Sequence, residues 1–361
     1  MNLTVLNVAY PFAPTGPNAV GGAEQVVAQL DLALTRAGHD SVVIASEGSV
    51  AEGILVSMPK TPGRLDEAAR QRVYEHYRNA IHELTKRWRF DVIHMHGVDF
   101  HEYLPPTGIP VLVTLHLPPH WYSPNIFKLD RPHTYFHCVS ETQRRACPPC
   151  ANLLPVVENG VPDEMFSRGH AKRDFTMALG RICPEKGFHI ALDAAKNASV
   201  PMVLAGEVFR YETHQNYFEQ QIAPRLDHAR RFVGPVGLRR KRRLLSGARC
   251  LLVPSLVPET SSLVAMESLA CGTPVVAFAS GALADIVEHG QTGFLVENER
   301  EMAEAIRAVD VIDPDVCRQS ARERFSMTRT IDNYFTIYQQ LAGEMTQMEI
   351  AADMQERSLV I

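Results

Sequence analysis

Two glutamates in the second half of the chain could bind a polar ligand. Glu259 and Glu267 lie eight positions apart in a stretch that reads as loop, helix, turn and strand. Glu267 falls near the centre of an apolar helical stripe, one turn after Leu263. A buried carboxylate is unfavourable without hydrogen-bond partners. The partner of Glu267 is therefore either a core Arg or Lys, in a structural ion pair, or hydroxyl groups of a ligand such as a sugar.

Two cations stand in a loop that links a predicted strand to a helix beginning near Phe188. Arg181 offers a forked set of donors, and Lys186 offers a point charge. The N-terminal dipole of the following helix also favours negative charge. This combination suits a diphosphate. The alternative is a pair of solvated loop cations without a ligand.

A glycine pair, Gly21-Gly22, opens the first predicted helix and follows a buried-looking strand. Glycine lets backbone N–H groups approach an anion at a helix N-terminus. The alternative is a surface loop that binds nothing. The loop matches neither GxGxxG nor GxxxxGK[ST], which argues against a dinucleotide dehydrogenase and a P-loop NTPase.

One histidine follows directly after a predicted strand. His116 comes after Val111–Leu115, and ligands of parallel sheets gather beyond the carboxyl ends of strands. The loop after it is rich in histidine, proline and aromatic residues, which suits an acceptor-side surface. His94 and His96, on the preceding short strand, are predicted to be packing residues.

The elements that would position these residues follow one pattern twice. Strand, loop, helix and strand is typical of a doubly wound α/β domain, and 361 residues suffice for about two domains. We predict a first domain over 1–166 and a second over 175–325, with a polar connector, Ser167–Asp174, between them. A crossover helix over 326–345 and a tail over 346–361 complete the chain.

Composition excludes some classes of partner and location. The net charge of −5 and pI near 6.3 give no electrostatic basis for nucleic-acid binding. The chain shows no apolar run of about 20 residues, so we expect a cytoplasmic protein. Cys147 and Cys150 have the CxxC spacing of redox and zinc sites, but no second CxxC accompanies them.

A basic run, Arg239–Arg243, is predicted to be the solvated face of a helix whose apolar side includes Leu238, Leu244 and Leu245. The alternative is contact with nucleotide phosphates or with an anionic membrane. The second of these would place the protein peripherally on the inner face of the membrane.

The glutamate spacing within its flanking sequence resembles the signature of a known family. Glu-x7-Glu follows Leu-Leu-Val-Pro-Ser and precedes Leu-Ala-Cys-Gly-Thr-Pro-Val-Val-Ala. Gly-Arg-Ile-x-Pro-Glu-Lys-Gly, which contains Arg181 and Lys186, is similar to the same family. These motifs resemble retaining glycosyltransferases of family 4 (glycosyl transferases group 1), which have the GT-B fold.

The resemblance implies two Rossmann-like domains that face one cleft, with a C-terminal helix that crosses back to the first domain. It also implies a role for each candidate. Arg181 and Lys186 would bind the donor diphosphate, Glu267 the ribose hydroxyls and Glu259 the donor sugar. His116 would face sugar and acceptor. The backbone would contribute amides for sugar or phosphate at Gly21, Gly22, Ser261, Ser262 and Leu263.

Three positions depart from the family pattern. Ser261-Ser262 stands where Phe-Gly is frequent, Asp285 where Glu is common and Ser280 where Gly is common. A serine in place of that glycine restricts backbone approach, so the fit of the sugar depends on this turn.

The function implied is transfer of a sugar, of the hexosyl type, from a nucleotide-diphosphate sugar to a hydroxyl acceptor with retention. The acceptor would be a glycan, a glycolipid or a small molecule. We expect no cofactor and no metal, because no DxD-type motif stands out and two cations already cover the diphosphate. The alternatives are a nucleotide-sugar epimerase of the same fold and a non-catalytic nucleotide-sugar binding protein. The sequence does not specify the sugar, base, acceptor or oligomeric state.

Overall fold

The computed structural model describes residues 2–60, 65–166, 170–209 and 211–358 and, in the last helix, side chains up to residue 344. Residues 167–169, in the predicted connector, lie outside the described residues.

The first domain is a sheet of six parallel strands in the order β3-β2-β1-β4-β5-β6. This is the Rossmann order, in which the chain reverses direction beside β1 and leaves a crevice at the carboxyl ends of the strands. The elements are β1 (Thr4–Val8), α1 (Gly22–Arg36), β2 (Asp40–Ser46), β3 (Ile54–Met58), α2 (Glu67–Arg87), β4 (Val92–Met95), β5 (Val111–Leu115), β6 (Thr134–Cys138), α3 (Glu141–Ala146) and α4 (Asp163–Phe166).

The second domain repeats this topology with six parallel strands in the order β12-β11-β10-β7-β8-β9. Its elements are β7 (Thr176–Leu179), α5 (Phe188–Asn197), β8 (Met202–Ala205), α6 (Glu212–Tyr217), β9 (Arg230–Phe232), α7 (Leu238–Gly247), β10 (Cys250–Val253), α8 (Leu263–Ala270), β11 (Val275–Phe278), α9 (Leu283–Ile286), β12 (Gly293–Val296), α10 (Glu299–Ala308) and α11 (Pro314–Arg324).

The last helix, α12 (Met327–Ser358), crosses back to the first domain as expected. Its side chains Tyr334 and Tyr338 are fully buried in one cluster with Leu3, Val5 and Val92 of the first domain. The helix continues to Ser358, beyond the end near residue 345 that the sequence predicts.

Local sequence features explain several boundaries of the helices and strands. Helix α2 begins after Asp66, which is its N-cap and accepts a hydrogen bond from the Ala69 amide. Strand β3 was not predicted although four of its five residues are apolar, and it forms the half-exposed edge of the first sheet. Val161 and Phe166, which precede the connector, pack into the core of the second domain.

Candidate active site in the interdomain cleft

One cavity between the two domains is lined by every candidate from the sequence. The first domain contributes a glycine turn and one histidine, and the second contributes two cations, two carboxylates and one helix N-terminus. The lining includes Gly21, Gly22, His116, Arg181, Lys186, Glu259, Ser261, Ser262, Leu263 and Glu267.

On the first-domain side, the glycine pair starts α1 at the edge of the cavity. Gly21 is the N-cap and no described side chain caps it, so the Gly22 amide is open to a ligand, whereas the Glu24 amide bonds to the carboxylate of its own side chain. A Cβ on Gly21 would lie 1.9 Å from Glu24 Oε2. A side chain is therefore excluded at Gly21 while Glu24 holds this position.

Glu24 was not selected from the sequence. It is buried, and burial raises the pKa of its carboxyl, while Arg181 across the cleft opposes that shift. Its position three residues after the N-cap could have indicated a carboxylate folded over the start of the helix.

The second domain holds one candidate cation and one candidate carboxylate in direct contact. Lys186 Nζ lies 2.5 Å from Glu259 Oε1, and Ser255 Oγ donates to the same carboxylate oxygen. Glu259 thus fixes the ammonium group at the cavity before any ligand is bound. Arg181 lines the same cavity from the strand-to-helix loop.

Glu267 also has a lysine partner. Lys241 Nζ lies 2.5 Å from Glu267 Oε1, and both side chains are nearly buried. Burial raises the pKa of Glu267, and Lys241 offsets part of that shift. The core ion pair considered from the sequence is therefore present. A carboxylate accepts up to about four hydrogen bonds, so this pair leaves capacity for ligand hydroxyls.

This pair corrects the prediction that the basic run is solvated throughout. Lys241 is 9% exposed and faces inward. Leu238, Lys241 and Leu245 are three and four positions apart, so they share one face of α7. That spacing was the signal in the sequence.

His116 is buried at the first-domain wall, where burial lowers its pKa to about 3. The imidazole is therefore neutral near pH 7. Its Nε2 lies 3.0 Å from His96 Nδ1, and His96 Nε2 lies 3.4 Å from Asn7 Oδ1. His96 packs as predicted, but it also orients His116.

Two buried polar atoms at the cavity are without a hydrogen bond among the described residues. Asn159 Oδ1 and Ser261 Oγ are buried without a described hydrogen-bond partner, and both residues line the cavity. Buried polar atoms are rarely left unpaired, so these two indicate a polar ligand. Ser262, the N-cap of α8, makes no capping bond with any described side chain, which leaves further amides open.

Two hydrogen bonds between described residues join the domains at the cavity. Thr260 Oγ1 donates to the main-chain oxygen of His116 at 2.7 Å. The Leu238 amide donates to Asn18 Oδ1 at 3.1 Å. Neither Thr260 nor Asn18 was selected from the sequence, because their role depends on the opposing domain.

Two family models match the chain, one on each domain. The model described as "Glycosyl transferases group 1" matches residues 174–309, and the model described as "Glycosyltransferase Family 4" matches residues 20–164.

Curated relatives match over part of their length. An uncharacterized glycosyltransferase of Methanocaldococcus jannaschii is 27% identical over 201 residues, 53% of this chain and 55% of that protein. A D-inositol 3-phosphate glycosyltransferase of Geodermatophilus obscurus is 39% identical over 120 residues, 32% of this chain and 26% of that protein. The chain thus spans about half or less of the length of these relatives.

Solved structures share the fold over nearly the whole chain. Sucrose-phosphate synthase of Thermosynechococcus elongatus has a TM-score of 0.76 at 18% identity, covering 95% of this chain and all of that one. Anabaena HepE, solved with UDP and glucose, has a TM-score of 0.73 at 17% identity, covering 93% and 99%. With a family model on each domain and the same two-sheet GT-B fold, this chain belongs to the family 4 (group 1) glycosyltransferases.

Proposed function

We propose that the chain transfers a sugar from a nucleotide-diphosphate sugar to a hydroxyl acceptor with retention of anomeric configuration. The observation that carries this proposal is the composition of one cavity. Three cations, two uncapped helix N-termini and two unpaired polar atoms converge there from both domains.

The donor chemistry follows from charge. Arg181 and Lys186 would neutralise the diphosphate, and the open amides at Gly22 and Leu263 would add donors at helix N-termini. Glu267 would accept from ribose hydroxyls with the oxygen that Lys241 does not hold. Anabaena HepE was solved with UDP-glucose, which supports a nucleotide sugar as the class of donor.

The acceptor hydroxyl would attack the donor sugar on the same face from which the leaving group departs. The leaving phosphate oxygen takes the proton of the acceptor hydroxyl as the new glycosidic bond forms. Arg181 and Lys186 stabilise the charge that develops on this oxygen. Neutral His116 contributes a hydrogen bond to the sugar rather than a positive charge. Since the cations already cover the diphosphate, the proposal requires neither metal nor cofactor.

The test begins with a thermal-shift screen of nucleotide sugars. A donor at about 100 times its Kd adds about 2.7 kcal/mol to stability. The donor found is then incubated with acceptor hydroxyl compounds, and NMR reads the anomeric configuration of the product. A retained configuration, formed in EDTA and not accelerated by Mg²⁺ or Mn²⁺, supports the proposal, and an inverted product or a requirement for Mg²⁺ or Mn²⁺ contradicts it.

The two alternatives give different products in the same assay. A nucleotide-sugar epimerase releases free nucleotide and a changed sugar without any acceptor. A binding protein is stabilised by the donor and leaves it intact. Either outcome would replace the transferase assignment.

A further inference from the structure

Three side chains with metal-ligating atoms meet behind the turn that holds Lys186. Cys183 and Glu185 flank Pro184 on this turn, and His214 lies on α6. The thiol sulfur, a carboxylate oxygen and an imidazole nitrogen lie within 4.8 Å of one another. Among the described residues, no other group of three His, Cys, Asp or Glu side chains brings its ligating atoms within this distance.

One ring nitrogen of the histidine in this group lacks a hydrogen-bond partner. His214 is 9% exposed, and its Nδ1 has no hydrogen-bond partner among the described residues. Most buried side-chain nitrogen atoms are paired, so the orphaned nitrogen is a second, independent indication of a missing ligand.

We propose that Cys183, Glu185 and His214 form a zinc site outside the reaction centre. Zn²⁺ accepts sulfur, nitrogen and carboxylate oxygen in one tetrahedral shell, whereas Mg²⁺ and Ca²⁺ favour oxygen alone. Three protein ligands leave a fourth position for water. On binding, the Cys183 thiol releases its proton to solvent and both electrons of the new bond come from sulfur.

The charges of the site balance despite the nearby guanidinium group. Arg181 acts electrostatically on both Cys183 and His214 and would repel an added cation. A thiolate and a carboxylate supply two negative charges, which cancel those of Zn²⁺. A neutral complex therefore forms beside Arg181.

The geometry requires only a small contraction. Bonds of about 2.0–2.3 Å place tetrahedral ligand atoms roughly 3.3–3.8 Å apart, so the widest pair must close by about 1 Å. Glu185 is partly exposed on a short turn and can make that movement. The bound metal would tie this turn to α6 and so restrain the segment between Arg181 and Lys186.

The test measures metal binding itself. Cys147 and Cys150 could bind zinc independently, so the reference protein is the full chain with Cys147→Ser and Cys150→Ser. Zn²⁺ affinity is measured by competition with a chromophoric chelator, and Co²⁺ is used to detect thiolate-to-metal absorption. We expect one Zn²⁺ per chain and a cobalt–thiolate band.

Three variants of that reference identify the ligands. Cys183→Ser should abolish the cobalt–thiolate band. His214→Gln and Glu185→Gln should each weaken zinc binding by about tenfold or more. His189→Gln is the matched control, because His189 already pairs with Tyr217 and should leave affinity unchanged.

Two results would overturn the proposed zinc site. A reference protein without zinc binding in the micromolar range excludes it. A Cys183→Ser or His214→Gln variant with unchanged zinc affinity and a native far-UV spectrum excludes it as well. Neither result affects the proposed transfer reaction, which uses no metal.

Discussion

At the scale of single residues, both carboxylates of the cleft are already paired with lysine. Lys186 holds Glu259, and Lys241 holds Glu267, each at 2.5 Å. The first pair borders the cavity where the diphosphate is proposed, and the second is more deeply buried. A donor phosphate would therefore share Lys186 with Glu259, while the Lys241 pair would stay intact.

Removal of a cleft cation should slow transfer. We expect Arg181→Ala and Lys186→Ala each to lower kcat/KM by about 10²-fold or more, because each removes stabilisation that grows as the phosphate departs. Steady-state kinetics with a saturating acceptor measures the effect. Arg240→Ala, on the exposed side of α7, is the matched control. A loss below about threefold for both cleft variants would contradict the diphosphate assignment.

Glu267 requires a double variant, because its carboxylate both pairs with Lys241 and faces the cavity. Glu267→Gln alone leaves a buried lysine uncompensated and should cost about 3–5 kcal/mol of stability. Lys241→Met combined with Glu267→Gln removes the isolated charge and should recover most of that loss. We expect the double variant still to bind the donor more weakly than the wild-type protein does, as measured by calorimetry.

The outcomes separate the two roles of Glu267. Recovery of both stability and donor affinity in the double variant would show a structural pair alone. Recovery of stability without affinity would support contact with the ribose.

At the scale of elements, the carboxyl ends of three neighbouring strands place four histidines in one buried cluster. His94 and His96 lie on or just after β4, His116 follows β5, and His137 lies on β6. Thr114 Oγ1 lies 2.6 Å from both His94 Nε2 and His137 Nε2. Helix α12 closes the cluster, with Tyr338 OH 2.7 Å from His94 Nδ1.

Acid should unfold the protein through this cluster. Burial lowers the pKa of His94 and His96 well below the usual value, that of His116 to about 3 and that of His137 to about 4. The unfolded chain binds more protons below about pH 6.5, so stability is complete above that pH and falls toward pH 4. Each histidine contributes a slope of up to about 1.4 kcal/mol per pH unit.

Urea unfolding between about pH 7 and pH 5 measures this slope. His137→Gln removes one titrating group and should reduce the slope by about one proton. A free energy of unfolding that stays constant over this range would contradict the neutral, buried state of the cluster.

At the scale of the whole molecule, polar contacts, the packing of Leu263 against the first domain and one shared helix join the two domains in the described part of the chain. The bonds from Thr260 to His116 and from Leu238 to Asn18 span the cleft, and Thr142 donates to Asp285 farther out. Helix α12 packs its tyrosines on the first sheet although it follows the second domain. Among the described residues, no helix is both long enough and apolar enough to cross a membrane.

We expect the two domains of the free protein to open and the donor to close them. The diphosphate ligands lie on both domains, so a bound donor favours the closed arrangement, in which it contacts all of them. Small-angle scattering should give a smaller radius of gyration with donor than without it. The change should be smaller for Lys186→Ala at the same donor concentration. Identical curves at saturating donor, with binding confirmed by calorimetry, would exclude a large closure.

The local sequence determined which elements form and which side chains are chemically unusual. Caps and apolar periodicity act within a few residues, as at Asp66 and Ser140, whose side chains accept hydrogen bonds from the first turns of their helices. A charged residue on an apolar stripe is also a local signal, and it identified Glu267 as a residue that needs a partner. The motifs around Arg181 and Glu259 resemble those of a known family, and this resemblance implied a cleft between two domains.

The identity of each partner was decided only by the tertiary structure. Lys241 meets Glu267 because α7 packs against α8, and no pattern within either helix specifies that contact. Thr260 donates a hydrogen bond to His116, which lies 144 positions earlier in the chain. Cys183 and Glu185 meet His214, which lies on a separate helix. Side chains distant in sequence meet where helices pack on one another and where parallel strands bring their loops to one edge. The sequence therefore determined which groups need partners, and the packing of helices and sheets decided which partners they have.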